Sequence, residues 1–196
     1  MDSNPIDIPV EVSARHVHLS QEVADVLFGK GYKFSKRKDL SQPGQFACEE
    51  RVDIKTDKSI LKNVAILGPI RKKTQVEISL TDARKIGAKG VIRESGDLDG
   101  TPGCTLIGPK GSFEIFEGLI VAKRHIHMTR EDAEKLNVKN GEKVKVRIKS
   151  ESRSLIFEDV VARVSENFSL AMHIDTDEGN AVQYNNKIVG NLFGKQ

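Results

Sequence analysis

Arg15-His16-Val17-His18-Leu19-Ser20-Gln21-Glu22 recurs later in the chain as Arg124-His125-Ile126-His127-Met128-Thr129-Arg130-Glu131. The two stretches align without a gap, and the same alignment extends to match Val12 with Val121 and Leu27 with Leu136. Each copy has the pattern of a strand, a polar N-cap and a short amphipathic helix. A duplicated unit of this kind predicts two similar small domains.

All five histidines of the chain belong to this pattern. Two form His16-x-His18, two form His125-x-His127, and the fifth is His173. Residues i and i+2 of a strand project from the same face, so each pair can direct two imidazoles toward one point. That arrangement is typical of a site for a first-row metal ion.

The remaining chain has mostly strand signals. Strands are predicted over 8–19, 75–80, 119–128, Lys143–Ile148, Leu155–Val164 and 169–174. Helices are predicted after Ser20, ending near Gly29; after Thr129, where Thr129-x-x-Asp132 resembles a capping box, ending near Asn137; and after Thr81, ending near Gly87. The predicted fold class is therefore mainly β with short capping helices, in two pseudo-repeated small β-barrels packed together.

Composition excludes several classes of protein. The chain has 196 residues, 30% charged and 38% hydrophobic, which is typical of a globular protein. A net charge of +3 is too small to indicate nucleic-acid binding, and no apolar run is long enough to cross a membrane. The first seven residues lack a secretion signal, and Cys48 and Cys104 form no CxxC motif. We therefore expect a cytoplasmic protein with neither nucleic-acid nor membrane partners.

His125, His127 and His173 form the first candidate metal site. In 169–174, Leu170, Met172 and Ile174 occupy the apolar face, which leaves His173 on the other face. Three neutral imidazoles can bind zinc and leave positions for water or substrate. The alternative is that His173 lines the barrel and hydrogen-bonds to Asp175.

His16 and His18 need a third ligand, and no histidine is left. A carboxylate can serve, and Glu77 lies on the polar face of the strand predicted at 75–80. The pattern alone does not select Glu77 over Glu11, Glu49 or Glu50, and an exposed strand carboxylate is the commoner structural role.

Three cations at Arg71-Lys72-Lys73 follow a Gly68-Pro69 turn. They could form an anion site, because the planar fork of arginine matches phosphate. The alternative is a solvated basic loop, and Lys36-Arg37-Lys38 has the same two interpretations. Gly108-Pro109-Lys110-Gly111 is predicted to be a hairpin turn.

Several stretches together resemble the PduL-type phosphotransacylase (phosphate propanoyltransferase) family. They are Val12-Ser13-Ala14-Arg15-His16-Val17-His18-Leu19, Leu67-Gly68-Pro69-x-Arg71-x-x-Thr74-Gln75-Val76-Glu77-Ile78-Ser79, Thr81-Asp82-Ala83-Arg84, Arg124-His125-Ile126-His127-Met128, and Met172-His173-Ile174-Asp175-Thr176-Asp177-Glu178-Gly179-Asn180-Ala181. The resemblance extends from about Ile8 to Leu192.

This resemblance implies a fold, a site and an activity. One barrel would comprise 15–122 and the other 1–14 with 123–196. Two zinc ions per chain would be bound close together, one by His16, His18 and Glu77 and the other by His125, His127 and His173, with Arg71 binding phosphate. The activity would interconvert a short-chain acyl-CoA plus inorganic phosphate with acyl phosphate plus coenzyme A, in a homodimer associated with propanediol degradation.

The resemblance also implies a location. Many family members carry an N-terminal microcompartment-targeting extension, which the short segment before Val12 is expected to lack. The expected mechanism is direct attack of phosphate on the thioester. The rival functions are a dinuclear zinc hydrolase acting on a thioester or phosphate ester, and a non-catalytic metal-binding module. Either Lys36–Lys38 or Lys72–Lys73 could meet the phosphates of the CoA nucleotide.

Overall fold

The computed structural model describes residues 6–195. The expectations about a secretion signal and a targeting extension fall partly on residues outside this range. Within this range the helices are α1 (Gln21–Phe28), α2 (Leu80–Ile86), α3 (Arg130–Lys135) and α4 (Thr176–Ala181). The strands are β1 (Ile8–Val12), β2 (His16–His18), β3 (Lys36–Asp39), β4 (Phe46–Lys55), β5 (Ile60–Gly68), β6 (Gln75–Glu77), β7 (Ile92–Arg93), β8 (Cys104–Ile107), β9 (Ser112–Ile115), β10 (Leu119–Ala122), β11 (His125–Met128), β12 (Lys143–Ile148), β13 (Leu155–Val164), β14 (Ala171–Ile174) and β15 (Val189–Lys195).

The described chain divides into two compact units. The first contains residues 6–13, Ser41–Pro43 and 123–195, and the second contains Ala14–Leu40 and Gly44–Ala122. Strands of the first unit form a closed barrel in the order β1-β14-β11-β13-β12-β15. Strands of the second form a nine-stranded sheet in the order β7-β10-β6-β2-β5-β4-β8-β9, with β3 beside β4. The mainly β prediction with two barrel-like units is confirmed, and in the described residues one barrel is closed.

Each unit has its own hydrophobic core. In the first unit the core includes Ile126, Val146 and Met172, none of which is exposed. In the second unit Val17, Ile66 and Val76 are equally buried. Separate apolar cores are typical of separate folding units, and each one supports the strands that carry one histidine pair.

The predicted strands at 8–19 and 119–128 are too long, because each is broken in the middle. In the first copy β1 joins the closed barrel and β2 joins the other sheet. In the second copy the reverse holds, since β10 pairs with β6 while β11 pairs with β13 and β14. The two repeats thus exchange their first strands, and the breaks at 13–15 and 123–124 are where the chain passes from one unit to the other.

The strand predicted at 75–80 is also too long. It ends at Glu77, because Ser79 accepts a hydrogen bond from the Asp82 backbone N–H and begins α2 at Leu80. Leu80, the last residue of that predicted strand, is 44% exposed. The other helix signals are accurate: Ser20 caps α1, Thr129 and Asp132 form a capping box on α3, and Gly87 ends α2 with a positive φ of 67°.

Among the described residues, no helix has the length and apolar character needed to cross a membrane.

Candidate metal centre and anion site

The antiparallel pairing of β2 with β6 brings His16, His18 and Glu77 together. His16 lies directly opposite Glu77 in this pair, and His18 lies opposite Gln75. The pleat directs all four side chains to the same face, where each is at most 9% exposed. Glu77 is therefore a buried carboxylate, which rules out the exposed strand position considered for it.

Backbone carbonyls orient the two imidazoles. His16 Nδ1 lies 2.9 Å from the Ala14 carbonyl oxygen, and His18 Nδ1 lies 3.2 Å from that of Leu67. A carbonyl can only accept, so each Nδ1 carries a hydrogen, and each Nε2 is the nitrogen available to a metal ion or, without one, to a proton. This is the hydrogen-bonding pattern that fixes the tautomer of metal-binding histidines.

The distances between the three donor atoms fit a single metal ion. His16 Nε2 lies 3.2 Å from His18 Nε2 and 3.5 Å from Glu77 Oε1, and His18 Nε2 lies 4.0 Å from the same oxygen. A tetrahedral zinc ion with bonds of about 2.0–2.1 Å separates neighbouring ligand atoms by about 3.3–3.4 Å. Two Nε2 lone pairs at this distance repel each other unless a cation, either a metal ion or a proton on one of the nitrogens, lies between them.

The electrostatics of the cluster also favour a positive charge at its centre. Burial works to lower the pKa of His16, but the neighbouring Glu77 carboxylate and the hydrogen bonds to Glu77 and Ala14 raise it overall. Burial and the charges of His16 and Arg71 lower the pKa of His18 to about 3. Burial also opposes ionisation of Glu77, yet its pKa lies well below the usual value because His16 stabilises the carboxylate. A divalent ion would supply the same stabilising charge.

Arg71 lies beside this cluster. Its backbone N–H donates to the Leu19 carbonyl at 2.9 Å, which holds the residue next to the end of β2. Its Nη1 donates to Ser95 Oγ at 3.3 Å, and Ser95 Oγ in turn donates to Glu77 Oε1 at 3.3 Å. One hydroxyl thus connects the guanidinium, a cation suited to phosphate, to the carboxylate of the candidate metal site.

His125, His127 and His173 lie together on the closed barrel. His125 lies directly opposite His173 in the antiparallel pair of β11 and β14. The three ring centroids are 4.6, 5.0 and 5.3 Å apart, and His125 Nδ1 lies 2.8 Å from the Lys123 carbonyl oxygen. Three adjacent imidazoles, one with its tautomer fixed as in His16, are a donor set that zinc accepts.

The donor atoms of the two clusters are not equally focused. Within residues 6–195, the set whose ligand atoms all lie within 4.8 Å of one another is His16, His18 and Glu77. In the second cluster the ring centroids lie 4.6–5.3 Å apart, but the three residues do not form such a set. The site that spacing alone could not complete therefore has the tighter geometry.

The other carboxylates considered for the first site lie elsewhere. Glu11 is on β1, opposite His173, with its Oε2 3.8 Å from His173 Nδ1. Glu49 is exposed on β4, and Glu50 accepts hydrogen bonds from Tyr32 and Ser35. Asp175, the alternative partner of His173, instead accepts from the Glu178 N–H and caps α4.

The remaining basic residues have a different setting from Arg71. Lys72 and Lys73 are exposed, and Lys73 forms an ion pair with Glu117 at 3.4 Å. Lys36, Arg37 and Lys38 form the exposed strand β3, where Lys36 pairs with Asp39. The Gly108–Gly111 stretch is the predicted hairpin turn, between β8 and β9.

Two polar residues at the site are not singled out by the sequence pattern. Gln75 lies two residues before Glu77 in the predicted strand, and Ser95 is followed by glycines at 96, 100 and 103. The strand alternation places Gln75 beside Glu77, which is a usable signal. Ser95 is 18 residues from Glu77 in sequence, and no local pattern indicates that contact.

The chain matches a known protein family over most of its length. Residues 9–185 match the family model for phosphate propanoyltransferase. The chain is 55% identical over 188 residues to a phosphate propanoyltransferase of Listeria monocytogenes, covering 96% of this chain and 88% of that one. It is 56% identical over 184 residues to that of Leptotrichia buccalis (93% and 86% covered), and 53% identical over 178 residues to that of Thermotoga maritima (91% and 85% covered). The chain belongs to the phosphate propanoyltransferase family.

Proposed function

We propose that this chain is a zinc-dependent phosphate acyltransferase that interconverts a short-chain acyl-CoA plus inorganic phosphate with acyl phosphate plus coenzyme A. Family membership supports the acyltransferase activity. The observation that carries the finer proposal is the hydrogen-bonded connection from Arg71 through Ser95 to Glu77. It joins the cation proposed to bind phosphate to His16, His18 and Glu77, whose donor atoms are close enough together to hold one metal ion.

Arg71 is the residue proposed to bind phosphate. Its guanidinium can donate two parallel hydrogen bonds to phosphate oxygens and offset part of the dianion's charge. Ser95 and the backbone contact with Leu19 restrict where the side chain can point. Holding phosphate in one orientation next to the thioester lowers the entropic cost of the bimolecular step.

The proposed reaction is a direct transfer. An oxygen of hydrogen phosphate attacks the thioester carbonyl carbon, the new C–O bond forms, and the C–S bond breaks. The thiolate of CoA leaves with the electron pair and takes the proton that hydrogen phosphate gives up. The products are acyl phosphate and CoA–SH, with no external acid, base or oxidant consumed.

Two zinc ions per chain are proposed, one at His16, His18 and Glu77 and one at His125, His127 and His173. A bound zinc ion can polarise the thioester carbonyl and stabilise a departing thiolate, which is a soft ligand. The chain's contribution is to hold the imidazoles in one tautomer and to keep the Glu77 carboxylate ionised. The different third ligands make the two positions chemically unequal.

The cysteines argue for transfer without an acyl-enzyme. Burial raises the pKa of Cys48 to about 11 and that of Cys104 to about 12. Both side chains are buried in the core, so neither presents a thiolate to substrate. The homodimer, the cytoplasmic location and the absence of microcompartment targeting stay predictions.

Phosphate dependence separates this function from a zinc hydrolase. Release of the CoA thiol from acetyl-CoA and propionyl-CoA is measured with and without phosphate, and acyl phosphate is trapped with hydroxylamine. Phosphate-dependent release with a stoichiometric hydroxamate is expected. Thiol release at the same rate without phosphate would identify a hydrolase, and tight zinc binding with no turnover would identify a metal-binding module.

A further inference from the structure

Gln75 is the fourth buried side chain on the strand face that also carries His16, His18 and Glu77. It lies two residues before Glu77 on β6 and directly opposite His18 on β2. Its side chain is buried, with only 2% of the residue exposed. A buried carboxamide must have its hydrogen bonds satisfied, so its partners show what it does there.

Both partners of the Gln75 NH₂ group belong to the site. Nε2 lies 2.5 Å from Glu77 Oε1 and 2.8 Å from Ser95 Oγ. Oε1 accepts a hydrogen bond from the Gly96 backbone N–H at 2.8 Å. Because a backbone N–H can only donate, the amide oxygen must face Gly96, which leaves the NH₂ group facing Glu77 and Ser95.

The contacted oxygen is the one that faces the imidazoles. Glu77 Oε1 is the atom 3.5 Å from His16 Nε2 and 4.0 Å from His18 Nε2. Gln75 therefore restrains the carboxylate rotation that decides which lone pair points to a bound metal. Gln75 also donates to the Ser95 hydroxyl, which accepts the hydrogen bond from Arg71.

The second copy has a different residue at the position equivalent to Gln75, and it also has a different candidate for the third ligand. Across β11 and β14 the residue opposite His127 is Ala171, and the third ligand candidate is His173. A carboxylate has two oxygens that can rotate and exchange, whereas an imidazole presents a single nitrogen once its tautomer is set. A hydrogen-bond donor at this position is useful only beside the carboxylate.

We propose that Gln75 is a positioning residue: its amide fixes Glu77 as a metal ligand and couples that ligand, through Ser95, to the phosphate-binding Arg71. The coupling to phosphate rests on the proposed function, while the effect on metal binding does not. Hydrogen-bond partners of metal ligands change metal affinity by about 10–100-fold when removed. Gln75 is expected to act within that range.

The test compares Gln75→Met with Gln42→Met in the full-length protein. Methionine keeps the approximate volume and removes the amide. Gln42 is the matched control because it is also buried (4% exposed) and bonds both the carbonyl and the N–H of Ser169 within the closed-barrel unit. Zinc affinity by chelator competition, the visible spectrum of the cobalt-substituted protein and the KM for phosphate are measured for each.

Gln75→Met is expected to weaken one zinc site by about tenfold or more, alter the cobalt spectrum and raise the KM for phosphate. Gln42→Met is expected to lower only the thermal unfolding temperature. If Gln75→Met instead loses stability but keeps wild-type zinc affinity and cobalt spectrum, Gln75 is a structural residue and the proposal is wrong. These metal readouts decide the question even if wild type shows no phosphate-dependent turnover, an outcome that would overturn only the proposed function and its coupling to Gln75.

Gln75→Glu keeps the folded state testable if the methionine variant does not fold. The glutamate retains an acceptor for the Gly96 N–H but replaces the donor to Glu77 by a second carboxylate. A changed cobalt spectrum together with weaker zinc binding supports the proposal, whereas a wild-type spectrum, or zinc binding as tight as in wild type or tighter, contradicts it.

Discussion

Glu77 lies directly opposite His16 across two antiparallel strands, with its Oε1 3.5 Å from His16 Nε2. Both side chains are buried, and the pairing register alone brings the carboxylate to an imidazole that is distant from it in sequence. A shift of the register by one residue would turn the Glu77 side chain to the other face of the sheet, away from His16 and His18.

The same relationship recurs in the second copy, where His173 lies opposite His125. A short helix begins soon after each of these two residues, the proposed third ligands: α2 follows Glu77 and α4 follows His173. In both copies the arginine before the first histidine pairs with an acidic residue in that helix: Arg15 with Asp82 at 2.9 Å, and Arg124 with Glu178 at 2.6 Å. The repeat thus includes the proposed third ligand and an ion pair between this arginine and the helix that follows.

Glu77→Gln tests the carboxylate as a metal ligand. The amide keeps the shape of the side chain but carries no charge, so we expect loss of about one equivalent of zinc per chain and a fall in turnover of about 100-fold or more. Metal analysis and steady-state kinetics measure both effects. Glu49→Gln, on the exposed surface of β4, is the control. Full zinc content and activity in Glu77→Gln would exclude it as a ligand.

Arg71→Ala tests the anion site. Without the guanidinium we expect the KM for phosphate to rise by about 10–100-fold, the range of a lost charge-assisted contact, with a smaller change in the KM for acyl-CoA. Arg71→Lys should recover only part of this, because lysine cannot donate in a bidentate fork. Arg84→Ala removes an exposed arginine of α2 and serves as the matched control. An unchanged KM for phosphate in Arg71→Ala would remove it from phosphate binding.

Much of the local structure is predictable from sequence because its signals are local. The caps Ser20 and Thr129 and the stop at Gly87 each depend on a few neighbouring residues. Helix α4 is not predicted, although Asp175-x-x-Glu178 forms a capping box like that of Thr129 and Asp132. The sequence EGNA that ends this helix has a glycine and an asparagine, which are poor helix formers and conceal the signal.

The proposed third ligands are less predictable because strand pairing is not local. The alignment that superposes the two histidine pairs does not superpose Glu77 on His173, since the second copy is shorter between its strands. The paired residues also differ in type. The hydrophobic alternation does not change where β1 and β10 leave for the other unit. The pattern therefore predicts a continuous strand across the breaks at 13–15 and 123–124.

The buried cysteines should be unreactive in the native protein. Because burial raises the pKa of Cys48 to about 11, roughly one thiol in a thousand is ionised at pH 8, and the pKa of about 12 at Cys104 makes that fraction smaller. We expect labelling by a disulfide reagent at least about 100-fold slower than in denaturant. A Cys48→Ala, Cys104→Ala variant should retain transferase activity. Exchange of labelled CoA into acyl-CoA without phosphate would instead indicate an acyl-enzyme.

The ion pair between Arg15 and Asp82 should contribute to stability. Asp82 is 4% exposed, so Arg15→Ala would leave a buried carboxylate without this partner, at a cost of about 1–2 kcal/mol in the free energy of unfolding. Denaturant unfolding measures this cost. Lys135→Ala breaks the exposed pair with Glu131 and should leave the midpoint near that of wild type. Equal midpoints for the two variants would contradict a special role for the Arg15 pair.

Thiol release from propionyl-CoA tests most directly whether a metal-bound site transfers the acyl group to phosphate. One preparation is assayed before chelation, after chelation and after zinc is restored, each time with and without phosphate. We predict release only when zinc and phosphate are both present, with full recovery on adding zinc. Release that persists after complete removal of metal, or that proceeds equally without phosphate, would contradict the proposed function.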